Sequence, residues 1–505
     1  MTSRLNLRSY RYLIVVLAVA VSVLFQGSRG LYETTEGRYA EAGREMIETG
    51  NYLEPTLGYR PHWTKPPLTY WAIAGGLAVF GNNAWGARFF NIVAFLVAVW
   101  AVYYMGMIVG GPLVAILAAL IYLSSILPVA AVFAVTTDTL LTMWELLGVM
   151  AYLRAYTEAE PKRQGPWVVA MWCFFGLGFL TKGLPALFPL LVIGLWQFLH
   201  PGRTRLTNFS AILLFVITAF SWGAWAIWKH PDLLDYYISH EIADRLSSHD
   251  LHNSAWYKPF TIYFPALLFA GGPWLFIALY HFFKKQYPVR RKAIFAFLKS
   301  GQPLAFSVFW VLLPLTVFCI VKSRLVLYVL PLYAPLVLLA AYGMSKNADN
   351  PRRLLRFAAG LAGVLVVLWI GGKGAVAQYP VDRDMKQILA AGRAICPDAL
   401  IAAYERQELY GMQFYTDGRM KRVSRSGREP WADCSIAALL TDFQKKGAGG
   451  RNWLILFRKR RLAELNEILQ NAEVFYRITG TGKWRWVHLA HPENQHDRKP
   501  AGAVQ

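Results

Sequence analysis

The sequence predicts a mainly α, polytopic membrane fold that carries a small α/β domain near its C-terminal end, and three observations predict it. Of 505 residues, 55% are hydrophobic and only 16% are charged, and the apolar residues gather into runs long enough to cross about 30 Å of hydrocarbon. Lys and Arg concentrate in short loops between alternate runs, the distribution that cytoplasmic loops of membrane proteins show. After Gly372 the composition turns polar, with short apolar stretches at 400–403 and 453–457 among helix-like segments. This pattern excludes an ordinary soluble enzyme. It also attributes the net charge of +22 to membrane topology, with no nucleic-acid partner implied.

The chain opens with Arg4, Arg8 and Arg11 before an apolar run at 13–27 that no small-residue cleavage site follows, so it reads as a retained signal anchor. Further runs at 87–108, 112–130, 138–154, 166–181, 184–199, 208–229, 261–283, 303–321, 325–343 and 355–372 bring the total to about eleven crossings. The stretch 66–80 is shorter and begins at Lys65-Pro66-Pro67. If it lies at the interface or re-enters, and the N-terminus is cytoplasmic, the basic loops holding Arg154 to Arg163, Arg203 and Arg205, Lys284 to Lys299, and Lys346 to Arg356 all face inward. If it spans, every one of them turns outward. The expected organisation is therefore 11 to 13 membrane helices over 1–375, with juxtamembrane helices in a first outer loop at 28–86 and a second outer loop at 230–260. An extracytoplasmic α/β domain at 376–490 and a disordered tail at 491–505 follow. Cys173 and Cys319 fall in apolar runs and read as packing residues. Cys396 and Cys434 lie in the outer domain, where an oxidising compartment would allow them to form a disulfide.

The same parity gathers a second set of residues on the outer face: Glu33, Glu36, Lys65, Asp138, Lys182, the 230–260 loop, Lys322 and Arg324. Ionisable groups at the lipid boundary are costly and usually have partners or a function. A helix is expected from Thr34 or Thr35 to Gly50, so Glu36 either complements its dipole or accepts a proton from an acceptor hydroxyl. His62-Trp63-Thr64-Lys65-Pro66-Pro67 is either an interfacial anchor or a segment that brings Lys65 to a phosphate ester. Asp138 starts a membrane helix as a cap or as a site acid, and Lys182 either snorkels or adds positive potential. The stretch His240 to His252 has no metal-ligand spacing, and its Arg245 suits bidentate phosphate binding. Lys322, Arg324 and Tyr328 stand at an outer helix entrance.

Glu36-Gly37-Arg38-Tyr39-Ala40-Glu41 with Arg44-Glu45-Met46, then Lys65-Pro66-Pro67-Leu68 with Tyr70-Trp71, resembles the first-loop signature of GT-C class glycosyltransferases. The resemblance is to the branch related to the lipid A aminoarabinose transferase and the protein O-mannosyltransferases. Asp138-Thr139-Leu140-Leu141-Thr142, Gly178 to Gly183, Pro273-Trp274, and Arg324-Leu325 with Tyr328 and Pro331 continue it in order to about residue 345. The resemblance implies a multispanning GT-C fold in the inner membrane of a bacterium and an inverting transfer of a sugar from a polyprenyl phosphate. The acceptor would be an envelope glycolipid such as lipid A, on the periplasmic face, with membrane lipids as surroundings and a monomeric enzyme. On that resemblance Lys65 and Arg245 hold the carrier phosphate with Arg324 and Tyr328, and Asp138 and Glu36 belong to the acidic part of the site, with Glu33 a further candidate acid. Lys182 and Lys322 would add positive potential beside it. A divalent metal ion is left open by the outer-face carboxylates. Thr35 and Thr64 stand where family members carry acids, so Glu33 or Glu36 would serve as base, the acceptor would already be deprotonated, or the member would be inactive. A lipid-linked sugar flippase and a protein O-mannosyltransferase are the alternative readings.

Overall fold

The computed structural model describes residues 7–239, 253, 255–269, 271–284, 291–446, 451–480 and 482–490. The first helix, α1 (Leu7–Val23), leads into the first loop, where α2 (Thr35–Thr49) starts at Thr34 and closes on Gly50 with φ 69°. Only glycine takes that left-handed closing position without strain. Pro67 opens α3 (Leu68–Phe80), whose 13 residues reach about 20 Å at 1.5 Å per residue, short of a hydrocarbon core.

The side chain of Asn83 accepts from the amides of Trp85 and Gly86 to cap α4 (Ala84–Ser124). At 41 residues α4 is too long for one crossing, and it breaks at Gly110-Gly111-Pro112, where Gly111 has φ 78°. The two limbs then pack so closely that a Cβ on Gly106 would sit 2.6 Å from the Cα of Ala115. Thus the two runs expected at 87–108 and 112–130 form one hairpin, with a pair of glycines supplying its turn.

Next come α5 (Ile126–Val132) and α6 (Thr137–Thr157), which meet at 120°. They are followed by α7 (Pro161–Lys182), α8 (Phe188–Leu199) and α9 (Phe209–Lys229). Further apolar helices are Lys258–Phe269, Pro273–Lys284, Pro303–Ile320, a 3-10 turn Val326–Leu332 continuing into Tyr333–Lys346, and Pro351–Gln378. Among the described residues six helices are long and apolar enough to cross a membrane, or up to eight if each bent pair is one span. The multi-pass membrane character expected from the sequence therefore holds.

The C-terminal part is a six-stranded sheet in the order β3-β2-β1-β4-β6-β5, with β1 Leu400–Tyr404, β2 Lys421–Ser424, β3 Cys434–Ser435, β4 Trp453–Arg458, β5 Tyr476–Thr479 and β6 Trp484–Leu489. The apolar stretches at 400–403 and 453–457 are its two central strands, parallel to each other and buried on both faces. β2 and β3 extend the parallel part, and β6 and β5 add an antiparallel edge.

This topology corrects the disulfide expectation, for all four cysteines are free thiols. Cys434 is level with Val423, and so with Tyr404 at the carboxyl end of β1, whereas Cys396 precedes the amino end of that strand. At about 3.3 Å per residue the strand alone separates them by more than a disulfide spans.

The sheet domain is stitched to the loop that follows α1. Gly30 N–H donates to Asp384 at 2.9 Å, Leu31 N–H to the Tyr415 hydroxyl at 2.9 Å, and Glu33 N–H to the Arg383 carbonyl at 3.0 Å. Helix Tyr410–Tyr415 lies on α2, with Gly37 against Gly411 so tightly that a Cβ would be 2.3 Å from the Gly411 nitrogen.

Candidate functional site

The site is built around the break between α5 and α6. Thr136 caps α6 by accepting from the Asp138 amide, and Asp138 in the first turn forms a 2.5 Å ion pair with Lys182 at the last residue of α7. Both side chains are nearly buried, at 11% and 7% exposure. The Lys182 ammonium in turn lies 4.6 Å from the centre of the Tyr328 ring, a cation–π distance. Three of the residues singled out in the sequence, from 44 to 190 positions apart, thus converge on one point.

From α2, Tyr39 leans on this cluster, and its ring is 5.8 Å from that of Tyr70 on α3. Tyr70 neighbours His62, whose ring nitrogen shares a hydrogen bond with the Thr64 hydroxyl at 2.8 Å. The next residue is Lys65, whose ammonium donates to the Thr64 carbonyl at 2.7 Å. Burial, helped by the cations of Arg38 and Lys65, pushes the His62 imidazole down to about 4, so it is neutral near pH 7. An aromatic wall of Tyr39, Tyr70 and His62 therefore runs from the Asp138–Lys182 pair to the Lys65 segment. Trp63 packs on the end of α9, its ring centre 5.2 Å from that of His230 and 6.0 Å from that of Trp222. Glu54 reinforces that join by accepting from His230 at 2.7 Å and Lys229 at 2.8 Å.

Glu36, on α2 one turn before Tyr39, is fully engaged. It is ion-paired with Arg29, lies 3.2 Å from Arg88, and accepts from the amides of Tyr32 and Val135 at 2.9 Å each. Burial alone would raise its carboxyl, but Arg88 and Arg29 outweigh it and hold the group below the usual carboxylate range. Glu33 turns the other way, its two oxygens accepting from the amides of Gly411 at 2.8 Å and Tyr410 at 3.1 Å. Burial pushes it up to about 8 against those two hydrogen bonds.

Arg324, almost fully buried, spends its guanidinium on the carbonyls of Asn253, Ala255 and Cys319, each at 3.0 Å, and so ties Asn253 and Ala255 to helix Pro303–Ile320. Lys322 is half-buried. Arg245, with the histidines of 240–252, lies outside the described residues. Among the described residues no three His, Cys, Asp or Glu side chains converge as a metal site.

Two residues that hold the site together were not singled out in the sequence. Arg29 and Arg88 form the knot around Glu36: Arg29 donates to the Phe133 carbonyl at 2.6 Å and Arg88 to the carbonyls of Gln26 and Gly30 at 2.9 and 2.8 Å. An arginine inside the apolar run 87–108 was the signal available, because a buried cation there demands a carboxylate.

The comparisons agree with this architecture. Residues 64–228 match the family described as dolichyl-phosphate-mannose-protein mannosyltransferase. An undecaprenyl phosphate-alpha-4-amino-4-deoxy-L-arabinose arabinosyl transferase of Pseudomonas fluorescens is 30% identical over 68% of this chain and 60% of its own length. A transferase of the same name from Edwardsiella ictaluri is 26% identical over 73% of this chain and 67% of its own. The chain thus spans about 60% of the length of the first of these relatives. Among solved structures, ArnT from Cupriavidus metallidurans bound to undecaprenyl phosphate superposes with a TM-score of 0.75, covering 95% of this chain and 98% of that one at 17% identity. An oligosaccharyltransferase from Archaeoglobus fulgidus gives 0.53 at 12% identity, over 97% of this chain and 75% of that one. The fold is the GT-C fold. Within it, the sequence resembles the arabinosyl transferases along most of its length and the mannosyltransferase family over residues 64–228, and the architecture resembles that of ArnT.

Proposed function

We propose that the protein is a membrane glycosyltransferase that moves a sugar from a polyprenyl phosphate to an envelope glycolipid, with inversion, on the periplasmic side of the inner membrane. The observation that carries this reading is the convergence of Asp138, Lys182 and Tyr328 at the α5–α6 break, beside the segment that bears Lys65. An acid–cation pair nearly out of water, next to further cations, is suited to hold a lipid phosphate and to stabilise the charge it gains on leaving. The likeness to an ArnT seen with undecaprenyl phosphate supports the same donor class.

In this mechanism the acceptor attacks the anomeric carbon while the phosphate departs from the opposite side. Lys65 and Arg245 meet the growing charge, Lys182 is oriented by Asp138, and Tyr328 lines the approach. Glu36 acts as a positioning residue: it holds the Val135 amide three residues before Asp138. Arg324 and Glu33 fix the second outer loop and the sheet domain around the site. The N-terminus is cytoplasmic and the 376–490 domain periplasmic in this reading, because that orientation puts the basic loops inside.

The test is transfer from radiolabelled undecaprenyl-phosphate sugar to extracted glycolipid in proteoliposomes. Wild-type protein should form a new glycosidic bond, and Lys65→Ala should lose it while keeping the wild-type thermal transition. Movement of the labelled lipid between leaflets with no glycosidic product would instead establish a flippase.

A further inference from the structure

The sheet domain carries a second cluster of cations that the transfer reading does not use. Its parallel strands reverse direction of growth at β1: the chain proceeds from β1 to β2 and β3 on one side, then returns to place β4 on the other. The two loops leaving the carboxyl ends of β1 and β4 therefore part, and in open α/β sheets such a crevice is where ligands bind. One of these loops supplies Arg406 and the end of β4 supplies Arg458.

Both guanidiniums converge on one indole. Arg458 lies 4.1 Å and Arg406 5.8 Å from the ring centre of Trp484, which is buried and held by its N–H donating to the Asp382 carbonyl at 2.8 Å. Neighbouring arginines on the same edge are neutralised. Arg461 pairs with Glu464 at 2.6 Å and with Glu405 at 3.7 Å, and Arg425 approaches Glu464 at 4.0 Å. Arg406 and Arg458 have no ion pair within 4.0 Å among the described residues, and the Nε of Arg406 is buried without a hydrogen-bond partner. Burial, then Arg406 and Arg460, push the Arg458 guanidinium down from its ordinary value, with Asp382 opposing. Two half-buried cations crowded on one platform are unfavourable unless an anion joins them.

The two arginines lie beside the seam with the loop that follows α1. Asp382 adjoins Arg383, whose carbonyl takes the Glu33 amide, and Arg406 is close enough to act electrostatically on Glu33. We propose that Arg406 and Arg458, stacked on Trp484, form a phosphate-binding site on the sheet domain. It takes a phosphate monoester at the membrane surface, borne by a lipid headgroup or free in solution. This site is separate from the one proposed for the carrier phosphate, and its binding test does not depend on transfer.

The test uses the full chain purified in a neutral detergent. Binding of fluorescent phosphatidic acid and of inorganic phosphate is measured for wild type, R406Q/R458Q and, as a surface control, R460Q. The double variant should lose at least 10-fold in affinity with an unchanged thermal transition, and R460Q less than 2-fold. Phosphatidic acid binding well ahead of inorganic phosphate would identify the lipid source, and equal binding the soluble one. R406K/R458K retains charge but not the guanidinium fork and should bind weakly. Equal losses for R460Q and the double variant, or full binding by R406Q/R458Q, would overturn the proposal.

Discussion

Replacing Glu36 with Gln separates a catalytic base from a positioning strut. The carboxylate and its two arginines are buried, with side-chain exposures of 6% for Glu36, 5% for Arg29 and 0% for Arg88. Removing one partner of a buried ion pair leaves an uncompensated charge and costs about 3–5 kcal/mol. Here two cations would be left behind, softened by the backbone carbonyls that each also reaches. Each kcal/mol shifts Tm by about 2–4 °C for 150–250 residues and by less for a larger chain, so E36Q should melt several degrees below wild type. Below that transition it should retain transfer within about 10-fold of wild type. Scanning fluorimetry in detergent and the proteoliposome assay measure the two effects on one preparation. An unshifted Tm with transfer reduced 100-fold or more, the range a lost general base gives, would refute the strut and make Glu36 the base.

Three further outcomes follow from the same geometry. Lys182→Met should destabilise the protein by about 3–5 kcal/mol by stranding Asp138, and D138N/K182M should recover much of that in thermal melts without recovering transfer. Glu33 has a folded value of about 8, above its ordinary 4.5, so the native chain holds that proton more tightly. Its contribution is full below about pH 4.5 and is lost as pH rises through about 8, on the order of a few kcal/mol. Exchange protection at the Tyr410–Tyr415 amides should fall across that window in wild type and stay flat in E33Q. Gly106→Leu should split the α4 hairpin, since even a Cβ there meets Ala115 at 2.6 Å, and lose at least about 2 kcal/mol in thermal melts, against little change for Gly363→Ala, where a Cβ meets nothing within 4 Å.

Much of this arrangement was legible in the sequence because hydrocarbon is an exacting solvent. Runs of apolar residues, the Gly50 closure of α2, the Pro67 start of α3, and the placement of Asp138 at a helix start all follow from local chemistry. What local chemistry cannot reveal is which buried charge meets which. Glu36 and Glu33, three residues apart, look alike in sequence, yet one faces Arg29 and Arg88 and the other the amides of Tyr410 and Gly411. Helix phase and a domain more than 370 residues away decide between them. The thiols of Cys396 and Cys434 failed to pair for a similar reason, since strand register sets their separation.

The stitches between residues 30–33 and the sheet domain bear on how the molecule is to be dissected. Severing the chain after the helix Pro351–Gln378 would strip the Gly30 and Leu31 amides of their acceptors and leave the Glu33 carboxylate facing nothing. The loop that carries α2 would lose its far wall, and with it the footing of the turn before Asp138. The C-terminal lobe is accordingly a splint for the membrane half, and trimming it to ease crystallisation or expression would unmake the very surface under study.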